Sequence, residues 1–193
     1  MTHEGERTRK RMVRGAAQLL RERGYTGTGF REVIEVTGTP RGSIYHHFPG
    51  GKAQLAGEAV DWIAGLARGA IEQSFAEGGP ITGLRAFVEI WHADFERSGY
   101  RAGCPIVAVA VENHDDAPEL LDVAASAFEA WRTAFAGSLR DAGVTEDRAD
   151  RIAALVVSAV EGAIVLSRAE RDPKPLLDVA AELEEVIAAA LPA

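Results

Sequence analysis

Cysteine is almost absent: Cys104 is the one thiol in 193 residues, which excludes an internal disulfide framework and a cysteine-built zinc site and fits a reducing compartment. Long hydrophobic runs are missing too. The longest, Ile152 to Leu166, is interrupted by Ser158, Glu161 and Gly162 and falls short of the roughly 18 residues expected of a spanning helix, so no membrane partner is expected. Thr2 to Arg11 is polar and basic with no apolar stretch behind it, so secretion is not expected and the cytoplasm is. Sustained alternation at period two does not occur, which leaves no sheet and points to an all-α chain. No Gly-x-Ser-x-Gly elbow, P-loop, dinucleotide fingerprint or His-x-x-x-His pair is found, so neither enzyme chemistry nor a metal or cofactor is expected. His114-Asp115-Asp116 reads as a solvated loop before Pro118.

Positive charge is scarce overall, with a net charge of −8, yet it is concentrated. Residues 1–52 carry ten Lys and Arg against five Asp and Glu, and the remainder eleven against twenty-four. Phosphate attraction is local, because physiological salt screens charges beyond about 8 Å. An acidic whole therefore does not argue against a basic, nucleic-acid-binding end.

That end contains TGFREVIEVTGTPRGSIYHHF, from Thr28 to Phe48. Phe30, Val33 and Ile34 share one helical stripe, and Gly38 can close a helix in the left-handed region. Thr39 is a natural N-cap and Pro40 suits a first helical position, so a second helix is expected from about Pro40. Two helices this close form a helix-turn-helix, whose second member enters the major groove. Ile44 and Phe48 are four apart and should root that helix in its domain. Thr39, Arg41, Gly42, Ser43, Tyr45 and His46 are then free to meet phosphates and base edges. Gly42 costs roughly 1 kcal/mol against alanine inside a helix, so a close approach to the duplex is its expected return. Arg41 and Lys52 lie near helix N-termini, where a cation is disfavoured unless a phosphate is at hand. Thr28 is expected to cap the first motif helix and touch a phosphate, and Arg7 and Arg9 to reach a groove from a flexible arm.

Around this motif the spacing predicts further helices. The first runs from Glu6 to Gly24 with Met12, Val13, Ala16, Ala17 and Leu20 inward. Lys52 to about Glu77 forms a linking helix, and Gly78-Gly79-Pro80 breaks it before a helix over Ile81 to Ser98. Cys104 to Glu112 is short and β-branched enough to pass for a strand. Without a partner strand its backbone groups would go unsatisfied, so a helix starting at Pro105 is expected. Helices follow over Pro118 to Ala142, Glu146 to Arg171 and Pro175 to Leu191. Trp62, Phe87, Trp91, Phe95, Phe128, Trp131 and Phe135 supply more aromatic surface than a small helical core needs. They read either as a ligand pocket or as core packing. Glu161 interrupts the most apolar helix and must be paired, protonated or facing a cavity, so it reads either as orienting a ligand or as bonding across a subunit axis. Apolar residues on nearly every face of Ile152 to Leu166, and one stripe over Leu176 to Leu191, suit an isologous four-helix interface in a homodimer.

Over residues 8–55 the chain resembles the TetR/AcrR transcriptional regulators, through Ala16-Ala17-x-Leu19-Leu20, Gly24-Tyr25, Thr28, Val33-Ile34, Gly38, Arg41-Gly42-x-Ile44-Tyr45-x-His47-Phe48 and Lys52. Gly103-Cys104-Pro105-Ile106, with Phe48-Pro49-Gly50-Gly51-Lys52, resembles the LmrA/YxaF subgroup. One departure is Pro49-Gly50-Gly51, slightly longer than in many members. The resemblance implies nine or so helices, three for DNA binding and the rest for ligand binding and dimerisation. The expected division is a DNA-binding domain over 1–52 and an effector-binding and dimerisation domain over 53–193.

The sequence therefore leads to a homodimeric regulator, expected to be a repressor, that binds double-stranded operator DNA and is released by a small hydrophobic or aromatic effector. Two alternatives stay open at this point. One is a helical small-molecule-binding protein or enzyme whose basic N-terminus is incidental, and the other is a regulator without an effector.

Overall fold

The structure, a computed structural model, describes residues 3–112 and 117–192. His114, Asp115 and Asp116, and most of the expected turn around them, lie outside the described residues. Among the described residues there are eight helices and no strand: α1 (His3–Arg23), α2 (Phe30–Thr37), α3 (Arg41–His47), α4 (Gly51–Ser98), α5 (Pro105–Val111), α6 (Glu119–Asp141), α7 (Glu146–Glu170) and α8 (Lys174–Ala188). The expected all-α architecture is what the chain adopts. α5 is helical, as backbone satisfaction requires, with Cys104 as its N-cap and Ile106 and Val109 buried.

Glycine ends two helices where a positive φ is needed. Gly24 leaves α1 at φ 71°, and its N–H returns to the Leu20 carbonyl at 3.0 Å. Gly38 closes α2 at φ 63°, its N–H on the Ile34 carbonyl. Inside α4 the helical backbone fails at Gly78 and Gly79, just ahead of Pro80. The expected break is there, so α4 consists of two helical segments joined at a kink.

The chain forms two compact units. The first holds the described residues of Met1–Ile63 and Cys104–Ala127, the second those of Ala64–Gly103 and Phe128–Ala193. This differs from a division at residue 52. The start of α4, α5 and the first part of α6 all belong with the helix-turn-helix, and α5 packs directly on α1. In the first unit Met12, Ala16, Leu20, Val33, Ile44, Phe48 and Leu55 are buried together. Each large apolar side chain so buried contributes about 1.5–3 kcal/mol before the entropy of ordering it is subtracted. In the second unit α7 packs on α8, and the buried Ser167 hydroxyl accepts the Leu176 N–H at 3.1 Å, tying the turn between them.

α7 corrects one expectation. Ser158, Glu161 and Gly162 interrupt the apolar letters but not the helix, and its 25 residues are long and apolar enough to cross a membrane by length and composition. Half of its most apolar window is buried inside the protein, as in a core helix. Leu155, Val165 and Leu166 nonetheless remain exposed along it.

Candidate DNA-binding surface

Seven residues cannot hold a helix by local propensity, because helix nucleation is too unfavourable at that length. α3 is held by its buried side chains, Ile44 at 0% and Phe48 at 1% exposure, and by packing on α1 and α2. With that face fixed, Arg41, Gly42, Tyr45 and His46 are exposed and Ser43 is partly so. Tyr45 is 67% exposed and meets Phe30 edge-on, with ring centroids 5.3 Å apart. Phe30, Arg31, Ile34, Glu35, Arg41 and Tyr45 line a cleft of about 490 Å³ between α2 and α3. Arg31 was not among the expected contacts. Its place beside Arg41 depends on how α2 and α3 cross, which spacing within either helix does not reveal.

Three expectations for this surface are corrected. Thr39 is not the N-cap of α3: Pro40 occupies that position in an extended conformation and the helix begins at Arg41. The Thr39 side chain is only 4% exposed, with its hydroxyl 2.8 Å from that of Thr37, so it is not on the outer surface. Thr28 does not cap α2, whose N-cap is Gly29. Its hydroxyl donates instead to the Gly24 carbonyl at 2.7 Å, and the residue is 2% exposed. Arg9 is no part of a flexible arm, since α1 is helical from His3. It pairs with Glu58 at 2.5 Å and lies over the Phe48 ring at 5.1 Å, pinning α1 to α4 and to the end of α3.

Lys52 is partly buried near the start of α4. Its ammonium lies 4.0 Å from the Tyr25 ring centroid and 3.4 Å from the Thr26 carbonyl. His46 and His47 end α3 in different environments, the first exposed and the second half-buried. Burial, then the neighbouring His46 and Arg9, hold the His47 pKa below its ordinary value, which favours the neutral ring.

The expected ligand residues divide. Phe87, Trp91, Phe95 and Trp131 are essentially fully buried; Phe87, Trp91 and Trp131 pack edge-on against one another, and Phe135 is edge-on to Phe87. The Trp131 indole N–H donates to the Ala64 carbonyl at 3.1 Å. These rings fill volume in the core of the second unit. Phe128 is partly exposed, edge-on to Trp131. Trp62 belongs to the first unit, where Arg14 lies over it at 5.6 Å. Glu161 is 7% exposed on α7. A groove of about 710 Å³ lies between the first segment of α4 and α6, beside Phe75, Gly79, Ala134 and Gly137.

A short helix rooted by apolar residues, presenting basic, hydroxyl and aromatic groups after a tight turn, defines a helix-turn-helix DNA-binding protein. Residues 13–59 match the family of bacterial regulatory proteins, tetR family, and residues 80–182 match the transcriptional regulator LmrA/YxaF-like C-terminal domain. The chain belongs to the TetR family, in its LmrA/YxaF-like branch, and is a DNA-binding transcriptional regulator. It is 40% identical over 190 residues to an uncharacterised HTH-type transcriptional regulator of Mycobacterium tuberculosis, covering 95% of this chain and 96% of that one. It is 31% identical over 181 residues to the HTH-type transcriptional regulator LmrA of Bacillus subtilis, covering 93% and 96%. Its fold is similar to the regulatory protein TetR from Rhodobacter sphaeroides, with a TM-score of 0.81 at 24% identity over 92% of this chain and 97% of that one. A TetR regulator of Chloroflexus aurantiacus gives 0.73 at 28% identity over 98% of each.

Proposed function

We propose that this regulator is a cytoplasmic, non-enzymatic repressor that binds a pseudo-palindromic operator as a homodimer and leaves it when a small hydrophobic or aromatic effector binds. The observation that carries the DNA reading is the exposed face of α3 over the buried Ile44 and Phe48. Pro40, Arg41, Gly42, Ser43, Tyr45 and His46 meet the duplex there, and Lys52 meets a phosphate. Thr28 and Thr39 drop out as side-chain contacts because their hydroxyls are occupied and buried. The dimer forms through α7 and α8, whose exposed Leu155, Val165, Leu166 and Leu177 need cover.

The effector enters the groove beside Phe75. That ring packs edge-on to Phe135 at 5.1 Å, so moving it opens a way to Phe87 and Trp131. The α4 segment that carries Phe75 is continuous in sequence with the α4 start that carries Lys52, so a shift of that helix changes the spacing of the two recognition helices.

Mobility-shift titration against the intergenic DNA beside its own gene tests the first part. Arg41→Ala removes two cations per dimer and should lower the salt slope by about 1.8, at roughly 0.9 per phosphate. Binding that ignores both salt and Arg41 refutes the reading. For the effector, aromatic compounds that raise the thermal midpoint should also release DNA, and both effects should fall away in Phe75→Ala. A compound that binds at the groove yet leaves operator affinity unchanged refutes the coupling.

A further inference from the structure

Glu112, which ends α5, places its carboxylate on the turn between α1 and α2. One oxygen accepts the Tyr25 N–H at 2.7 Å, and the other accepts the Thr26 N–H at 2.9 Å and the Thr26 hydroxyl at 2.8 Å. Three donors on one carboxylate leave it little freedom, and hydrogen bonds to an ionised acceptor are about twice as strong as neutral ones. The chain makes room for this contact. A Cβ at Gly24 would stand 2.0 Å from a Glu112 oxygen, and Gly24 also needs its φ of 71°.

The same two residues hold Lys52. Its ammonium rests over the Tyr25 ring and donates to the Thr26 carbonyl. Tyr25 and Thr26 thus take a carboxylate on their amide groups and an ammonium on their ring and carbonyl. Both contacts fall on one turn, so fixing its backbone also fixes the ring and the carbonyl that hold the ammonium.

We propose that Glu112 is a positioning residue for operator binding: it fixes the Tyr25-Thr26 turn to α5, and that turn places the Lys52 ammonium for a phosphate. The proposal rests on the reading that Lys52 meets a phosphate. It gives α5 a task that helix packing alone does not, since the carboxylate reaches across 86 residues of sequence to the turn.

A double-mutant cycle tests it, using the full-length protein and a duplex from the region that it footprints beside its own gene. Glu112→Gln keeps the side-chain shape but offers one acceptor oxygen and an amide that cannot accept from an N–H. With Lys52 present it should weaken operator binding about tenfold. In a Lys52→Ala background the same change should cost less than about twofold, because the group it positions is gone. Glu112→Asp, a shorter carboxylate, guards against loss of folding and should fall between the two. Thermal midpoints, measured alongside, should drop equally in both backgrounds. Equal losses of affinity in the two backgrounds would overturn the proposal and make Glu112 a fold-stabilising residue, while the Lys52 reading stands. A Lys52→Ala variant with unchanged affinity and salt slope would overturn both together.

Discussion

Gly42→Ala should push stability and DNA affinity in opposite directions. Gly42 is the second residue of α3, has no positive φ, and is exposed; a Cβ built on it meets nothing within 4 Å. Alanine therefore introduces no clash in the free protein. It removes backbone freedom from the unfolded chain, worth about 0.5–1 kcal/mol in a helix, with the lower end applying in a first turn. At this chain length 1 kcal/mol moves a thermal midpoint by roughly 2–4 °C, so a rise of about 1–2 °C is expected.

On DNA the sign reverses. Gly42 stands between Arg41 and Ser43 on the face that reads the groove, where an added methyl holds the backbone off the duplex. A single displaced bidentate contact costs about 1–3 kcal/mol, and a dimer loses one in each half-site. The expected loss is roughly 2 kcal/mol or more, a factor of about 30. Thermal melting in the absence of DNA, and fluorescence anisotropy with a labelled operator at fixed salt, measure the two quantities on one preparation. A variant that melts higher and binds as tightly as the parent would show that glycine at this position has no part in approaching DNA. One that melts lower would refute the helix-entropy reasoning itself.

Two further outcomes follow from the second unit. Trp131→Phe removes the indole bond to Ala64 and part of a fully buried ring; urea unfolding should show a loss of about 1–3 kcal/mol with operator affinity nearly unchanged. An unchanged unfolding midpoint would remove Trp131 from the core. Glu184 accepts from Arg85 at 2.8 and 2.6 Å, and that hydrogen bond, partly opposed by burial, holds its pKa below the ordinary 4.5. Folding therefore favours the ionised carboxylate: this stabilisation is complete above 4.5 and is lost as pH falls through the depressed value. Glu184→Gln should flatten the acid limb of the stability curve between 4.5 and the depressed value. An acid limb as steep as the parent's would show that the pair contributes nothing.

What sequence reading reached, and what it missed, divides by the distance over which each feature is decided. Ile44 and Phe48 are one helical turn apart, and Gly24, Gly38 and Gly78-Gly79 break helices locally, so these were legible. The β-branched stretch after Cys104 was also settled from sequence, because an unpaired strand has no way to satisfy its backbone. Thr28 and Thr39 were misread for a physical reason. A threonine hydroxyl before a helix can accept from a free amide or donate to a carbonyl behind it, and only the path of the turn decides. Trp62 shares its periodicity with the core aromatics but is packed in another unit. Helical spacing assigns a face, not a neighbour. Arg31 and Glu112 lay beyond reach altogether, because each gains its place from a contact made by a different helix.

The shortness of α3 gives these distant contacts their weight. A seven-residue helix has no stability of its own, so the orientation of Arg41 and Tyr45 is set by what holds Ile44 and Phe48. Arg9 fixes that support by pairing with Glu58 beside the Phe48 ring, while Glu112, by gripping Tyr25 and Thr26, fixes the turn that places Lys52. Neither residue needs to touch DNA to alter its affinity. Substitutions on the exposed face of α3 should therefore change which sequence is bound, because base edges are read there. Substitutions at Arg9 or Glu112 should lower affinity for every operator sequence alike, since they disturb the frame and leave the reading groups intact. A Glu112 variant that changed base preference rather than overall affinity would contradict this separation of reading from support.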